Sequence, residues 1–306
     1  MDKDKILIID PIHESALKEL EKDYRVEYFP AASHDEVLSR ITDASILIVR
    51  SGHNVGREML ENVLRLRLVV RAGSGYENID TYFLDEKGIK HCNLPGVNSE
   101  AVAELVMGFV FALSRNIPNI SMRLKNNIWE KEKCYGIQVS GKTMGIIGYG
   151  SIGMKIAERS KGVGMHVIAS ASNLTTQRVD EAMSNGVTLE TNDDVLEQAD
   201  YICIAVPLNK ETANLINMNK LKKMKSSAFL INVSRGAVVN EKDLVIALSI
   251  GIIKGAALDV FQKEKEYSPL FELDNVICTP HIGAMTIEAQ EVIAKRLCDI
   301  IRENSK

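Results

Sequence analysis

Three side chains with complementary chemistry, Arg235, Glu264 and His281, each come just after a short apolar run that is typical of a strand. Because ligands bind beyond the carboxyl ends of parallel strands, we expect the three to share one site. An imidazole exchanges protons near neutral pH, a carboxylate bonded to it fixes its tautomer, and a guanidinium binds a carboxylate and polarises the adjacent carbonyl. The set predicts hydride transfer at a hydroxy acid. In the alternative interpretation, His281 is an ordinary loop histidine and Glu264 a solvated charge in the run KEKE; the other five histidines show no comparable setting.

A glycine fingerprint points to the partner of that chemistry. The glycines of GYGSIG, Gly148, Gly150 and Gly153, directly follow the strand-like run TMGIIG and open a helix-like run, with Ser151 and Ile152 between them. In this context the first glycine permits a tight turn, the second lets a pyrophosphate approach, and the third lets helix and strand pack closely. The helix N-terminus then offers free N–H groups to the phosphates. The motif predicts a bound NAD or NADP.

The preference between NAD and NADP stays open. An NAD site normally carries an acidic residue about 20 residues after the first glycines, where it binds the adenosine ribose. Here Ala171 stands between Ser170 and Ser172, and the first carboxylate is Asp180. No acid repels a 2′-phosphate, yet the first cation is Arg178, which is interpreted as a solvated helix residue.

Two arginines lie at the ends of neighbouring strand-like runs. Arg50 ends ASILIVR and Arg71 ends RLVVR, and Arg71 is followed by a glycine-bearing turn that includes Ser74 and Gly75. Each alone is more typical of a surface charge, but the pair predicts an anion clamp with both guanidinium groups in one cleft. Backbone N–H groups of the turn add a nest for a carboxylate. We expect a substrate with one carboxylate and a second, larger anion such as phosphate.

Strand-like and helix-like runs alternate along the chain, which is typical of parallel α/β sheets. The strand-like runs are 5–10, 44–50, 67–72 and 88–93, then 142–150, 164–172, 199–206, 228–234, 255–260 and 275–280. The helix-like runs are 13–22, 33–41, 57–64 and 80–87, then segments that begin near Gly153, Asn192, Asn219 and Glu241.

These runs predict an α/β fold with two doubly wound parallel-sheet domains and a cleft between them: a flavodoxin-like substrate-binding domain and a Rossmann-type dinucleotide-binding domain. The first comprises residues 1–97 and 286–306, the second 98–285. Ser99 with Glu100 is expected to cap a long helix at the boundary, and the last amphipathic segment, 286–301, to fold back onto the first domain.

Composition excludes several other classes of function. The 306 residues are 45% apolar and 25% charged, with a formal net charge of −4, which argues against nucleic acid or an anionic membrane as the main partner. The most apolar stretch, 101–113, is too short to span a bilayer and contains Glu104. The start of the chain shows no signal-peptide pattern, so a cytoplasmic location is expected. Five scattered cysteines show neither disulfide nor metal spacing, and no metal is predicted.

The sequence resembles the D-isomer-specific 2-hydroxyacid dehydrogenase family, and within it the D-3-phosphoglycerate dehydrogenases, over nearly its whole length. The shared motifs are LIVRS (47–51), VVRAGSGYENID (69–80), GKTMGIIGYGSIG (141–153), NVSRGAVV (232–239), GAALDVF (255–261) and PHIGA (280–284).

The resemblance implies a function for each of these regions. Arg235, Glu264 and His281 are the catalytic set, Asp259 holds the nicotinamide amide, and Arg50 and Arg71 face the substrate. The implied cofactor contacts, with the fingerprint glycines, are Ser74, Gly148, Gly150, Ser151, Ile152, Gly153, Val206, Val233, Ser234, Asp259, Gly283 and Ala284. The implied substrate contacts are Arg50, Arg71, Ser74, Gly75 and Arg235. The expected reaction interconverts D-3-phosphoglycerate and 3-phosphohydroxypyruvate in serine biosynthesis, in a homodimer whose contact includes the helix at 101–113 and the segment around Trp129.

Departures from the family pattern keep alternatives open. Ala171 stands where the family usually has a ribose-binding Asp, and Ser151 stands where an Arg is common inside the glycine loop. Lys265 replaces the Pro that usually follows the catalytic Glu. A glyoxylate or hydroxypyruvate reductase, which needs no phosphate clamp, is the nearest alternative, and a dinucleotide-sensing corepressor-like protein is a more remote one. We expect this protein to lack a C-terminal regulatory domain and therefore to show no serine feedback through such a domain.

Overall fold

The computed structural model describes residues 3–61 and 63–304 and divides into two compact units. The first comprises Met1–Asn98 and Met285–Lys306, and the second comprises Ser99–Ala284. The sequence boundaries at 97/98 and 285/286 each differ from these by one residue. The first two residues of the N-terminal run, residue 62 in the helix predicted at 57–64, and residues 305 and 306 lie outside the described part.

The first unit is built on a five-stranded parallel sheet. Its strands are β1 (Lys5–Ile8), β2 (Arg25–Tyr28), β3 (Ile46–Val49), β4 (Leu68–Arg71) and β5 (Lys90–Cys92), in the order β2-β1-β3-β4-β5. Its helices are α1 (Glu14–Leu20), α2 (His34–Ile41), α3 (Arg57–Leu60), α4 (Thr81–Glu86) and the C-terminal α12 (Ile287–Asn304). The inner strands β1, β3 and β4 are wholly buried, as is typical of the inner strands of a parallel sheet. They are apolar except for Lys5 at the start of β1 and Arg71 at the end of β4. Helix α12 packs on α1, and Arg302 of α12 bonds Glu19 of α1 at 2.5 Å.

The second unit begins with two helices, α5 (Ser99–Arg115) and α6 (Ile117–Lys125). A seven-stranded parallel sheet follows, with β6 (Thr143–Ile147), β7 (His166–Ser170), β8 (Thr188–Leu189), β9 (Tyr201–Ile204), β10 (Phe229–Asn232), β11 (Gly255–Leu258) and β12 (Val276–Cys278). The helices between the strands are α7 (Ser151–Gly162), α8 (Thr176–Ser184), α9 (Asn192–Gln198), α10 (Met218–Leu221) and α11 (Glu241–Ser249). Three short 3₁₀ helices are Lys131–Lys133, Gly236–Val238 and Pro269–Glu272.

The strand order of this second sheet, β12-β11-β10-β9-β6-β7-β8, is the Rossmann order extended by one strand. Helix α5 packs on α7, and its buried face, including Val106 and Val110, joins the core on one side of the sheet. The predicted fold class, two doubly wound parallel sheets, is therefore confirmed.

Two strands and two α-helices were not predicted from the sequence: β2, β8 and α8, which lie near sheet edges, and α6, which has no buried residue. Strand β2 (RVEY) carries alternating charges, β8 has only two residues, and α8 buries a single side chain, Ala182. Edge elements are covered on fewer faces, so they lack the continuous apolar signal of the inner strands. The cap predicted at Ser99 was also wrong. Ser99 is the first residue of α5, and its buried hydroxyl has no hydrogen-bond partner within residues 3–61 and 63–304.

Among the described residues, no single helix has the length and apolar character needed to cross a bilayer. The helix pair Ser99–Arg115 and Ile117–Lys125, bent by 62°, meets those criteria only when both helices are taken together.

Candidate active site

His281 and Glu264 form a direct pair at the carboxyl edge of the Rossmann-type sheet. Nδ1 of His281 lies 2.7 Å from Oε1 of Glu264, and both side chains are about 40% exposed. The hydrogen bond from His281 is the main cause that lowers the pKa of Glu264, with further lowering by the charges of His281, Arg235 and Lys265, against the opposing effect of burial. The carboxylate therefore stays ionised and fixes the orientation of the imidazole.

The loop that carries His281 is held by the buried carboxylate of Asp259, directly after β11. Oδ1 accepts hydrogen bonds from the Thr279 hydroxyl (2.6 Å) and Ile282 N (2.8 Å), and Oδ2 accepts one from Gly283 N (2.8 Å). The backbone N of His281 donates to Asp259 O at 2.8 Å. His281 has φ +55°, a left-handed conformation that is costly for a non-glycine residue and persists only when its surroundings impose it. In this structure the carboxylate of Asp259 therefore holds the histidine loop, whereas the resemblance implies contact with a nicotinamide amide.

Arg235 lies on a tight turn after β10. Asn232, the last residue of that strand, accepts hydrogen bonds from Ser234 N (3.1 Å) and Ser234 Oγ (2.9 Å) and donates to Arg235 O (3.1 Å). The guanidinium of Arg235 bonds Ser234 O at 2.7 Å and lies close enough to Glu264 to lower the pKa of that carboxyl. The turn thus places Arg235 on the same edge as the Glu264–His281 pair.

This turn requires Gly236. A Cβ at Gly236 would lie 1.9 Å from the carbonyl carbon of Phe261, in the segment that leads to Glu264. We expect Gly236→Ala to lower the free energy of unfolding by about 1–3 kcal/mol, because the backbone at Phe261 cannot move away as a flexible side chain can. Thermal melts followed by circular dichroism measure the effect. Gly108→Ala is the control: Gly108 is exposed inside α5 with open space around its Cβ position, and alanine there should raise stability by about 0.5–1 kcal/mol. An unchanged melting temperature for Gly236→Ala would contradict the packing argument.

The three fingerprint glycines have distinct surroundings. Gly148 has φ +107°, and a Cβ there would meet the carbonyl of Ala205 at 2.6 Å; at Gly150 a Cβ would meet nothing within 4 Å; at Gly153 it would lie 2.2 Å from Gly148 O. Gly148 thus permits the tight turn, Gly150 leaves open space for a ligand to approach the backbone, and Gly153 allows α7 to pack closely against the turn. Helix α7 begins directly after Gly150 with no side-chain cap, so its N–H groups remain available. The loop fits the pyrophosphate of a dinucleotide.

The other implied cofactor residues of this unit lie along the same edge. Val206, past the end of β9, would touch a Cβ at Gly148, and Val233 and Ser234 are buried in the turn after β10. Gly283 has little space for a side chain, since a Cβ would lie 3.1 Å from Asp259 Oδ2. Ala284 is half-buried next to it, and Ser151 and Ile152 form the first turn of α7.

Arg178, near Ala171, does not have the solvated position that the sequence suggested. Ala171 follows β7, and Arg178 belongs to α8. Nη2 of Arg178 donates to Tyr149 O in the glycine loop at 2.5 Å, and Nη1 lies 3.5 Å from Asn173 O. Arg178 is therefore not a solvated helix residue; it places a cation beside the glycine loop.

In the first unit, Arg71 is buried at the end of β4. Its Nε donates to Asn78 Oδ1 at 3.2 Å, and its Nη2 lies 3.6 Å from Oε2 of Glu77. The guanidinium packs against Gly73, where a Cβ would lie 2.4 Å from Nη1. The carboxylate of Glu77 packs against Gly75 and likewise occupies the space that a Cβ would need. Ser74, between the two glycines, accepts a hydrogen bond from Asn93 at 2.7 Å. The turn after Arg71 is thus shaped around charged side chains.

Arg50 follows β3, whose last residue, Val49, pairs with Arg71, so the two arginines differ by one position in register. Its guanidinium bonds Pro11 O at 3.2 Å, and burial lowers its pKa from the usual value. The backbone N of Arg50 donates to Oδ2 of Asp10 at 2.5 Å.

The expectation that His281 alone among the histidines has a notable setting was wrong. Nδ1 of His53 lies 3.0 Å from Oδ1 of Asp10, and both side chains are more buried than those of the Glu264–His281 pair. Asp10 comes two residues after β1, at the same strand edge as Arg50, and the strand-end rule could have found it. Asn78 lies within the GYENID segment, and no spacing signal in the sequence pointed to it.

Comparisons with known proteins agree with this architecture. The family model of the D-isomer specific 2-hydroxyacid dehydrogenase, NAD binding domain, matches residues 107–283. A D-3-phosphoglycerate dehydrogenase of Methanocaldococcus jannaschii is 40% identical over 97% of this chain, and a glyoxylate reductase of Thermococcus litoralis is 36% identical over 96%. The chain spans 57% of the length of the first protein and 91% of the second. The crystal structure of D-lactate dehydrogenase from Aquifex aeolicus complexed with NAD and lactic acid matches with a TM-score of 0.86 at 26% identity, covering 98% of this chain and 94% of that one.

The second unit thus has the architecture and the glycine loop of a Rossmann-type dinucleotide-binding protein. The chain belongs to the D-isomer specific 2-hydroxyacid dehydrogenase family, and the resemblance seen in its motifs is confirmed.

Proposed function

We propose that this protein is a nicotinamide-dependent dehydrogenase that interconverts D-3-phosphoglycerate and 3-phosphohydroxypyruvate. The observation that carries the dehydrogenase assignment is the 2.7 Å hydrogen bond between Glu264 and His281, on the sheet edge that also carries Arg235 and the glycine loop. Paired acid and base groups at the carboxyl edge of a dinucleotide-binding sheet suit the oxidation of an alcohol next to a carboxylate.

Each residue of the set has one role in the proposed reaction. A nicotinamide dinucleotide held at the glycine loop and the N-terminus of α7 would supply the hydride-transfer chemistry. Arg235 binds the substrate carboxylate and polarises the neighbouring carbonyl. Because Nδ1 of His281 is engaged by Glu264, Nε2 exchanges the proton with the substrate hydroxyl, and Glu264 stabilises the imidazolium that forms.

The phosphorylated substrate is proposed from the two arginines of the first unit and from the 40% identity to a protein named as a D-3-phosphoglycerate dehydrogenase. Guanidinium groups at Arg50 and Arg71 suit an anion of the size and charge of phosphate. A serine-synthesis role follows from that substrate.

A specific observation favours a glyoxylate reductase as the second candidate. The carboxylate of Glu77 lies 3.6 Å from Nη2 of Arg71 and would repel a dianionic phosphate unless it moves. A small monoanionic 2-oxo acid has no such conflict, and the relative named as a glyoxylate reductase is matched over 91% of its length.

Initial rates of reduced-cofactor oxidation with 3-phosphohydroxypyruvate, hydroxypyruvate and glyoxylate separate these candidates. A kcat/KM at least tenfold higher for the phosphorylated acid supports the proposal. Comparable values on all three move the assignment to a general 2-oxoacid reductase. No turnover on any, with retained NADH binding, would support a dinucleotide-binding regulator.

The phosphate clamp predicts a selective effect of Arg50→Ala. Loss of a charged hydrogen bond should raise KM for 3-phosphohydroxypyruvate by about 10- to 100-fold, with a much smaller change in KM for glyoxylate. Arg57→Ala is a matched control, because Arg57 bonds Glu86 at the surface at 3.1 Å. Equal effects of Arg50→Ala on both substrates would argue for the glyoxylate reductase.

We propose that NADP(H) is used at least as well as NAD(H). Ala171 places no acid at the ribose-binding position, and Arg178 holds a guanidinium beside Tyr149 of the glycine loop. A cation at this end of the site suits a 2′-phosphate. The ratio of kcat/KM with NADPH to that with NADH measures the preference, and a ratio well below one would reject the proposal.

We further propose that two copies of the chain associate through the segment after α5. Exposed apolar side chains concentrate there, including Ile117, Met122, Trp129 and Tyr135, of which Trp129 is 78% exposed. Such a patch is typical of a protein interface. Light scattering at micromolar concentration measures the mass, and a monomer would reject this proposal.

A further inference from the structure

We propose that Asn78 is a positioning residue that sets the orientation of Arg71 and of the backbone that carries Arg50. The inference rests on the proposed function in so far as these arginines bind the distal anion of the substrate. Asn78 itself bonds the side chain of one arginine and the backbone of the other, so it acts through both.

The carboxamide of Asn78 bridges the ends of β3 and β4. Its Oδ1 accepts the hydrogen bond from Nε of Arg71 at 3.2 Å, and its Nδ2 donates to Arg50 O at 2.8 Å and to His53 O at 2.5 Å. Both amide protons and one oxygen lone pair are therefore used. One side chain fixes the Arg71 guanidinium relative to the segment that begins at Arg50.

The same segment is held from its other side by Asp10. Oδ2 of Asp10 accepts from the backbone N of Arg50 (2.5 Å) and of Gly52 (3.2 Å), and its Oδ1 faces His53 Nδ1 at 3.0 Å. The other ring nitrogen of His53 lies 3.0 Å from Ala32 O. A Cβ at Gly52 would lie 2.1 Å from Oδ1 of Asp10, so the segment follows this carboxylate closely.

Asn78 contacts both arginine positions through one carboxamide, whereas Asp10 bonds the backbone of Arg50 and Gly52. The chemistry also requires an amide: an aspartate would keep the acceptor for Arg71 but turn a negative oxygen toward two carbonyls. Arginines held before binding lose less side-chain freedom when an anion arrives. Loss of the bridge should therefore weaken the binding of a substrate that needs both arginines more than that of a substrate that needs neither.

The first test compares arginine reactivity in the full-length wild type and Asn78→Ala. Phenylglyoxal modification, with the rate at each arginine measured by peptide mass spectrometry, needs no knowledge of the substrate. We expect modification of Arg71 to accelerate at least threefold in Asn78→Ala. Asp80→Ala is the matched control, because Asp80 caps α4 through Phe83 N at 3.0 Å and thus loses a comparable bond in the same segment. Unchanged rates at Arg50 and Arg71 in Asn78→Ala, or equal acceleration in Asp80→Ala, would overturn the positioning role.

The second test is kinetic. Asn78→Ala should raise KM for 3-phosphohydroxypyruvate about tenfold, with kcat and the KM for glyoxylate changed less than threefold. In an Arg50→Ala background the same substitution should have a smaller effect, since the two residues act on one anion. Equal KM changes for both substrates, or fully additive effects in the double variant, would overturn the role in specificity.

The two tests separate the failure of this inference from the failure of the proposed function. If Arg71 becomes more reactive in Asn78→Ala but Arg50→Ala does not discriminate between substrates, the phosphorylated substrate is wrong and the positioning stands. If Arg50→Ala discriminates and Asn78→Ala changes neither readout, the positioning is wrong and the substrate stands. Should Asn78→Ala fail to fold, Asn78→Asp retains the acceptor for Arg71 and removes both donors. It should then raise the modification rate of Arg50, and an unchanged rate would count against the inference.

Discussion

Replacement of His281 by Gln is expected to lower kcat in both directions by about 10²- to 10⁴-fold, the usual contribution of a general acid and base. Glutamine retains a hydrogen-bonding side chain at the position but cannot exchange a proton near neutral pH. Cofactor affinity should change little, because the glycine loop lies on a different strand connection from the histidine loop. Steady-state kinetics give kcat, and quenching of NADH fluorescence gives the affinity.

The matched control for this variant is His34→Gln. His34 also faces a carboxylate, with Nε2 3.7 Å from Glu58, and its side chain is 45% exposed, close to the 40% of His281. Its replacement should leave kcat within about twofold. A His281→Gln protein that keeps more than a tenth of wild-type kcat would contradict the assignment of His281 as the proton-exchanging residue.

Glu264→Gln is expected to have the second-largest effect, a loss in kcat on the order of 10²-fold or more, as when a carboxylate that orients a catalytic histidine becomes an amide. The amide can present its NH₂ group to Nδ1 and favour the wrong tautomer, and it no longer stabilises the imidazolium. KM should change less, since Glu264 is not proposed to bind the substrate. Rates measured between pH 5 and 9 should show a changed profile for the variant. An unchanged profile with an unchanged kcat would reject the role of Glu264.

The pH dependence of stability at this pair has a defined sign. The pKa of Glu264 is lowered in the folded protein from its ordinary 4.5, chiefly by the hydrogen bond from His281. Below that ordinary value the unfolded chain binds more protons than the folded one, so stability rises with pH through this window. The contribution is present above about pH 4.5 and is lost as the pH falls through the lowered folded value. Thermal melts from pH 3 to 6 should show a smaller dependence on pH for Glu264→Gln than for the wild type.

The positions of the candidate site residues in the second unit were largely predictable from the sequence, because each of these residues follows a strand. Strand ends of one parallel sheet meet at one edge, so the positions of Arg235 and Glu264 along the chain were enough to place them near each other. The contact between Glu264 and His281 was predicted by chemistry, and the structure places their atoms at hydrogen-bond distance. The same rule did not find the role of Asp259 in holding the histidine loop, because hydrogen bonds from backbone N–H groups leave no trace in residue type.

By itself the sequence determined the class of fold, the inner strands and the glycine loop, since burial of continuous apolar runs and the steric demands of glycine act locally. Only the tertiary structure decided how the charged side chains pair. Arg178 bonds a carbonyl of the glycine loop, Arg71 lies against Glu77 and Asn78, and Asp10 engages His53. The physical reason is that a buried charge or amide must find partners wherever the fold supplies them, across strands far apart in sequence.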